Sequence, residues 1–292
     1  MVVVKLQGGL GNQMFQYAVG RSLALSQKSV LKLDMSYLRY DSRRHYSLNC
    51  FSINEAFSYD QDIAKKANMR YRGLLRIIRY IAQQVFLHRS YSVFRETQVL
   101  PFNPAVLKAS GNVYLDGYWQ SEKYFVGIGD VLRREFILRR QLSYRGNKIL
   151  SVISKVNSVS VHVRRGDYVT DPEANRVHGV CGSKYYQKCF DLILRKISNP
   201  HFFVFSDDIK WAKDNLSLDC PMTFVDNDVQ SSCEDLWLMS QCNHNIIANS
   251  SFSWWGAWLN RNPQKIVYAP QHWFNDPDRN TVDLVPSAWL RV

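Results

Sequence analysis

The chain has 292 residues, 46% apolar and 13% aromatic, with 37 Lys and Arg against 25 Asp and Glu. That composition excludes a disordered, collagen-like or disulfide-scaffold chain, and the length suffices for one large core or two domains of ordinary size. The net charge of +12 raises the question of an anionic partner.

Residues 1–9 read as a buried strand (Val2–Leu6) running into a glycine turn (Gly8–Gly11), not as a signal peptide. A helix over Asn12–Ser26 and a second strand over Ser29–Leu33 complete a βαβ unit. The middle of the chain, to about Gln141, reads as helix-rich and less regular. Positive charge concentrates here: Gln61 to Leu150 holds 16 Lys and Arg against 6 Asp and Glu, so +10 of the +12. Within it, Arg72 to Arg89 reads as an amphipathic helix with Leu74, Ile77, Ile78, Ile81 and Val85 on one face and Arg72, Arg76, Arg79 and Arg89 as its basic residues. Such a helix either packs as a solvated surface element or meets anionic lipid, a phosphorylated acceptor or nucleic acid. No zinc-finger, RNP or basic-zipper pattern accompanies it, which disfavours nucleic acid.

Ser143–Asn147 reads as a hinge, dividing a first domain (1–145) from a second (146–292). The second alternates cleanly. Strands are expected at Ser158–Val163, His201–Phe205, Met222–Val225, Asn245–Ala248 and Ile266–Tyr268, separated by helices at Ser183–Ile197, Ile209–Asn215, Cys233–Cys242 and Ser253–Asn260. Short apolar strands with helical crossovers mean a parallel sheet covered on both faces. The longest uncharged run, Leu236 to Asn260, carries four Asn, four Ser, Gln241 and His244, so membrane insertion is costly. The six cysteines have no CxxC or zinc-ligand spacing and read as free thiols of a cytoplasmic protein.

Open α/β sheets bind ligands beyond the carboxyl ends of their strands. Here those ends deliver His162-Val163-Arg164-Arg165-Gly166-Asp167-Tyr168, then Ser206-Asp207-Asp208, then Asp226-Asn227-Asp228, then Asn249-Ser250-Ser251-Phe252-Ser253. Guanidinium forks match phosphate oxygens, and a helix-opening serine loop receives an anion. Asp207 and Asp208 suit the donor groups of a nucleobase or ribose. A nucleoside diphosphate along this edge is the expectation.

Seven stretches then carry a resemblance. They are Leu6-Gln-Gly-Gly-Leu-Gly-Asn-Gln-Met-Phe-Gln-Tyr-Ala18, Gly117-Tyr-Trp-Gln-Ser-Glu-Lys-Tyr-Phe125, His162 to Tyr168, His178-Gly-Val-Cys181, Phe203 to Trp211, Glu234 to Ser240, and Ile246 to Trp258. Together the chain resembles the bacterial α-1,2-fucosyltransferases of glycosyltransferase family 11. The resemblance implies a GT-B-like α/β fold, two Rossmann-like domains facing across a cleft. The first would be the acceptor side and the second the GDP-fucose side. It also implies inverting transfer from GDP-β-L-fucose to a terminal β-galactose, in an O-antigen or other surface polysaccharide, from the cytoplasm or the inner membrane face.

By the same analogy Arg164 meets the leaving diphosphate, His162, Asp207 and Asp208 lie near guanine and ribose, and Ser250, Ser251 and Ser253 cap the phosphates. Asn12 reaches the diphosphate from the first domain. Arg165 braces the arginine loop, through Asp167 in one reading. Asp167, His178 and Glu234 are the candidate proton acceptors. No metal is expected, because fixed arginine charge supplies the positive field.

Four other patterns are weaker. Gly9-Leu-Gly11 with Asp34 mimics a dinucleotide fingerprint but lacks its third glycine. Arg165-Gly166-Asp167 is a chance adhesion tripeptide. Asp226-Asn227-Asp228 resembles a metal-binding Asp-x-Asp but also suits a turn. Trp254 and Trp258, one helical turn apart, read as core packing rather than sugar stacking.

Overall fold

A computed structural model describes residues 1–58, 90–96, 101–225, 232–276 and 279–292. The Arg72–Arg89 stretch and Asp226–Asp228 lie outside them. The chain forms two compact α/β units, Met1–Phe136 with Val282–Leu284, and Ile137–Thr281 with Val285–Val292. Each holds a parallel sheet, the Rossmann-like pair expected. The units divide at 136/137. Ser143–Asn147, expected as the hinge, lies inside the second unit, where Ser143 caps helix Tyr144–Ile153, its Oγ accepting from Gly146 N at 2.9 Å.

The first unit is built on β1 (Val2–Lys5), α1 (Leu10–Ser26) and β2 (Leu31–Asp34). The middle of the chain supplies β3 (Ser92–Arg95) and β4 (Val113–Asp116), so the sheet runs β2-β1-β4-β3, all parallel. For the described part of the middle that corrects the helix-rich reading: four-residue strands flanked by polar loops leave too little period to be read. Short helices α2 (Pro104–Leu107) and α3 (Gly129–Glu135) follow.

Helix α1 buries almost its whole circumference, including Gln13 and Gln16 at 0% exposure. Both amides are satisfied by loop backbone. Gln13 donates to Gly8 O and His45 O and accepts from Ser47 N; Gln16 donates to Gly117 O and accepts from Gln7 N. Buried amides left unpaired would cost about 1–3 kcal/mol each, so these pairs fix the loops at the sheet's carboxyl edge. Lower on the helix, Arg21 and Tyr17 share Glu135 of α3.

The second unit starts with α4 (Tyr144–Ile153) and has β5 (Asn157–Val163) as its middle strand. Helices α5 (Gly166–Thr170), α6 (Pro172–His178) and α7 (Ser183–Leu194) lead to β6 (Pro200–Ser206). Next come α8 (Ile209–Asn215), β7 (Met222–Val225), α9 (Ser232–Gln241) and β8 (His244–Ile246). Last are α10 (Ser251–Leu259), β9 (Val267–Ala269) and β10 (Leu290–Arg291). The order is β10-β9-β8-β5-β6-β7, all parallel. All five expected strands form within two residues of their limits. The two-residue β10 was not legible.

Alternation along β5 sorts the interior. Val159, Val161 and Val163 pack with Tyr186, Phe190 and Ile193 of α7. Ser158, Ser160 and His162 take the other face. There Ser160 Oγ accepts from Asn245 Nδ2 at 2.7 Å, and Asn245 Oδ1 accepts from Asn260 Nδ2 at 2.8 Å. Trp254 and Trp255 are wholly buried, and Trp254 stacks on Trp258 at 6.3 Å, as core packing requires. Helix α10 begins at Ser251, two residues before the expected start, because Ser250 Oγ caps it by accepting from Phe252 N. Free thiols are found at Cys181, Cys189, Cys220 and Cys242; Cys50 and Cys233 depart from that expectation, since neither is a free thiol.

Helix α1 approaches the sheet closely at Gly20, where a Cβ would sit 2.4 Å from Val4 Cγ2 and 2.7 Å from Leu31 Cδ1. Gly20→Ala gains about 1 kcal/mol of helix propensity against an overpacking cost of about 1–3 kcal/mol. A net loss is expected, read as a lower denaturant midpoint at unchanged m-value; an unchanged or raised midpoint contradicts this packing.

Candidate active site

The carboxyl ends of β8, β5 and β6 lie side by side, because the three strands are adjacent and parallel. Val163 pairs with Ser206, so Arg164 and Arg165 emerge directly beside Asp207 and Asp208. The four side chains interlock. Arg164 Nη1 donates to Asp207 Oδ2 at 2.5 Å, and Arg164 Nη2 donates to Asp167 Oδ1. The other Asp207 oxygen accepts from Arg165 N at 2.7 Å. Arg165 Nε donates to Asp208 Oδ2 at 3.1 Å, and its guanidinium lies over the Trp211 ring at 4.2 Å. Asp208 also caps α8, accepting from Trp211 N at 3.0 Å.

Arg165 is thus a brace, though through Asp208; Asp167 pairs with Arg164 instead. The reason is the alternation at the end of β5, which sends the two arginines to different sides. Gly166 is needed beside them, since a Cβ there would meet Asp207 Oδ2 at 2.6 Å. The ion pairs with Asp167 and Asp207 engage two of the five guanidinium N–H donors of Arg164, and a planar fork has donors left for phosphate.

His162 is buried against Phe252, ring centroids 5.4 Å apart, and its Nδ1 has no partner among the described residues. Burial first, and the nearby Arg164 charge second, push its pKa down to about 3. His178 is held at about 4 by burial; Asp167 opposes that shift while Arg279 and Arg164 add to it. Both rings are neutral near pH 7. Ser250 caps α10, Ser253 is buried and donates to Ser250 O at 3.3 Å, and Ser251 opens the helix partly exposed.

Asn249, next to them, donates to His178 O at 2.8 Å and accepts from Cys181 Sγ at 3.6 Å. It therefore ties the His178–Cys181 stretch to the end of β8. Burial raises the Cys181 thiol to about 11, so it is no nucleophile at neutral pH. Glu234 stands elsewhere in the unit. Its carboxylate accepts from Ser143 N at 2.9 Å and Ser143 Oγ at 2.7 Å, at the start of α4. In the first unit, Asn12 Oδ1 accepts from Gln120 Nε2 at 2.8 Å, and Asp34 accepts from Tyr114 OH at 2.6 Å.

The structure therefore gathers Arg164, Arg165, Asp167, Asp207 and Asp208 into one network, and puts His162, His178 and the serine loop on the same sheet edge. Sequence reasoning passed over Trp211 and Tyr168 as site residues. Aromatic residues three and four positions beyond a charged motif are the signal that marks them.

Against known proteins, the signature described as Glycosyl transferase family 11 matches residues 1–290. The chain belongs to glycosyltransferase family 11. This family 11 glycosyltransferase is 37% identical over 297 residues to an alpha-1,2-colitosyltransferase of Escherichia coli, covering 100% of this chain and 99% of that one. It is 36% identical over 311 residues to the O-antigen biosynthesis glycosyltransferase WbnK of the same species, covering 98% and 99%. A galactoside alpha-(1,2)-fucosyltransferase 1 of Rattus norvegicus is 32% identical over 155 residues, 50% of this chain and 41% of that one. Among the described residues of the transferase, no helix is long and apolar enough to cross a membrane.

The two neutral histidines set an acid response. Unfolding returns each ring to a pKa near 6.5, so the unfolded chain binds more protons between about pH 6.5 and 4 through His178 and between about pH 6.5 and 3 through His162. Stability contributed by the uncharged rings is complete above those windows and is lost as pH falls through them. The melting temperature is expected to hold from pH 7.5 to 6.5 and then fall, with a shallower fall in His162→Gln. An equal slope in that variant contradicts the assignment.

Proposed function

We propose that this family 11 glycosyltransferase moves L-fucose from GDP-β-L-fucose to the 2-hydroxyl of a terminal β-galactose, inverting the anomeric carbon. The acceptor glycan is an O-antigen or another surface polysaccharide, carried on lipid and met at the inner face of the membrane. The observation that carries the reading is the Arg164 guanidinium, fixed by two aspartates at the ligand-binding edge of a parallel sheet in a chain of this family. The names of its relatives support the α-1,2 linkage and the O-antigen setting.

In the reaction, the acceptor oxygen forms a bond to the anomeric carbon as the bond from that carbon to the β-phosphate oxygen breaks. The bonding electrons leave with GDP, and the hydroxyl proton passes to a base or to solvent. Negative charge grows on the diphosphate, and one pre-positioned donor is worth about 3–4 kcal/mol at such a centre. Of the proposed proton acceptors, Asp167 holds the phosphate-side arginine, Glu234 holds the start of α4, and His178 is a weakly basic buried ring. The proposal therefore rests on leaving-group stabilisation rather than on a positioned base. His162, Asp207 and Asp208 are proposed to lie near the nucleoside, and Ser250, Ser251 and Ser253 near the phosphates.

The alpha-1,2-colitosyltransferase relative favours a second donor, colitose, which is fucose without its 3-hydroxyl. Purified enzyme with a β-galactoside and either GDP-linked sugar separates the two. Faster transfer of fucose, with a 1,2 linkage in the product, is expected; faster transfer of colitose overturns the donor. Arg164→Lys keeps charge but loses the fork, and should lower kcat by roughly 10²–10³ with a smaller change in KM. Arg165→Lys should do less harm. A folded Arg164→Lys enzyme within a fewfold of wild-type kcat overturns the role.

Turnover is proposed to need no divalent metal. The Arg164 guanidinium and the helix-opening serines would supply the positive field instead. Rates unchanged by chelator are expected, and rescue by Mn²⁺ after chelation would shift attention to Asp226 and Asp228.

A further inference from the structure

Behind Arg164 lies a row of rings, of which only His178 has been weighed for a part in the transfer. The Arg164 guanidinium sits over the Tyr168 ring at 5.1 Å. Tyr168 stacks on His178 with centroids 4.5 Å apart and ring planes 1° from parallel. His178 meets Phe274 at 5.5 Å, and Arg279 lies over Phe274 at 4.9 Å. Three separate segments contribute, the short helix α5, the end of α6, and the stretch after β9.

The backbone around these rings is tied down. Tyr168 O accepts from Asn175 Nδ2 at 2.6 Å, and His178 O accepts from Asn249 Nδ2 at 2.8 Å. Asn275 N donates to Val177 O at 3.0 Å, and Asn275 Nδ2 donates to Asn175 O at 2.8 Å. Gly179, at φ 62°, makes room for Asn275, whose Oδ1 would lie 2.2 Å from a Cβ there. The row is therefore a fixed wall rather than a chance contact of mobile side chains.

We infer that Tyr168 is a positioning residue for Arg164, its ring seated on the His178–Phe274 stack and holding the guanidinium plane for the β-phosphate of the donor. The inference rests on the proposed GDP-sugar reading. Its physical basis is a division of labour. Asp167 and Asp207 hold Arg164 by charge through two of its N–H groups, and an arriving diphosphate on the remaining ones competes with both carboxylates for the same positive charge. A ring face does not compete, since it attracts the cation without using its in-plane donors. The support survives ligand binding, when the carboxylate contacts weaken. The stack also demands a neutral imidazole, because a charged His178 would set a second cation one ring from Arg164.

The test uses the full-length chain and compares affinity for GDP and GMP by calorimetry, together with kcat and KM for GDP-fucose. Wild type should bind GDP more tightly than GMP, and Arg164→Lys should remove most of that preference. Tyr168→Leu should lower GDP affinity and kcat about tenfold, the scale of a partly desolvated cation–π contact, with GMP affinity unchanged. Tyr168→Phe, which keeps the ring, should restore both. Phe274→Leu, one ring further off, should show the same pattern more weakly and serves if Tyr168→Leu fails to fold. Equal losses for GDP and GMP, or full GDP preference in both leucine variants, overturn the positioning role. A wild-type chain that binds neither nucleotide overturns the GDP-sugar reading itself, a different result from either.

Discussion

Asp207 has two carboxylate oxygens and three demands around it. One oxygen takes the Arg164 side chain and the other takes the backbone N–H of Arg165, while Gly166 stays bare to let the carboxylate in. Two consecutive arginines at a strand end would repel each other and strain the turn into α5. The neighbouring strand answers with two consecutive aspartates, one for each, and in-register pairing of β5 with β6 brings them level. From that lock follow the direction of α5, the capped start of α8 under Asp208, and the separation of a ligand-facing arginine from a bracing one. The charges are partly buried, where such pairs are strong only if every partner is present.

Much of this was readable beforehand because it rests on period and punctuation. Val2–Val4 and Val159–Val163 announce strands by β-branched runs, and the polar residues after β5, β6 and β8 fall on one edge once the strands are parallel. What escaped depends on distance in sequence. Nothing local to Ser143 shows that Glu234, 91 residues on, supports its helix; the same serine in a Ser-Tyr-Arg-Gly-Asn run imitates a hinge. Nothing local to Asp167 says which of two adjacent arginines it serves; strand alternation decides it only with the rotamers known. Strands β3 and β4 were missed because each spans only four residues beside loops of mixed character, and β3 buries none of its own. Tyr168 and His178 were each within a quoted motif, yet their face-to-face contact spans a helix and a turn.

Both units keep polar groups in their interiors, and for the same purpose. Gln13 and Gln16 in the first, and Ser158, Ser160, Asn245 and Asn260 in the second, are buried and bonded. A hydrophobic side chain of similar size would fill the space, but it would not select one loop conformation over another. Fully paired amides select, because any other arrangement leaves a donor dry. In the first unit the selected loops are those at the carboxyl edge of the sheet, where Asn12 and Gln120 meet; in the second, the network sits under β5 on the face that leads up to His162.

The first unit is not one continuous stretch of chain. Val282–Leu284 returns to it, and there Asp283 accepts from Phe102 N at 2.8 Å and pairs with Lys123. A few residues later the chain is back in the second unit, where Val292 N donates to Ala269 O and Gln271 N to Val292 O, both at 2.9 Å. During synthesis from the amino end, the first unit leaves the ribosome long before its last segment does. It must wait, with one loop unpinned, through the translation of roughly 150 further residues. Completion of both units thus depends on one short stretch, residues 282–292, so a deletion there would spoil two structures at once.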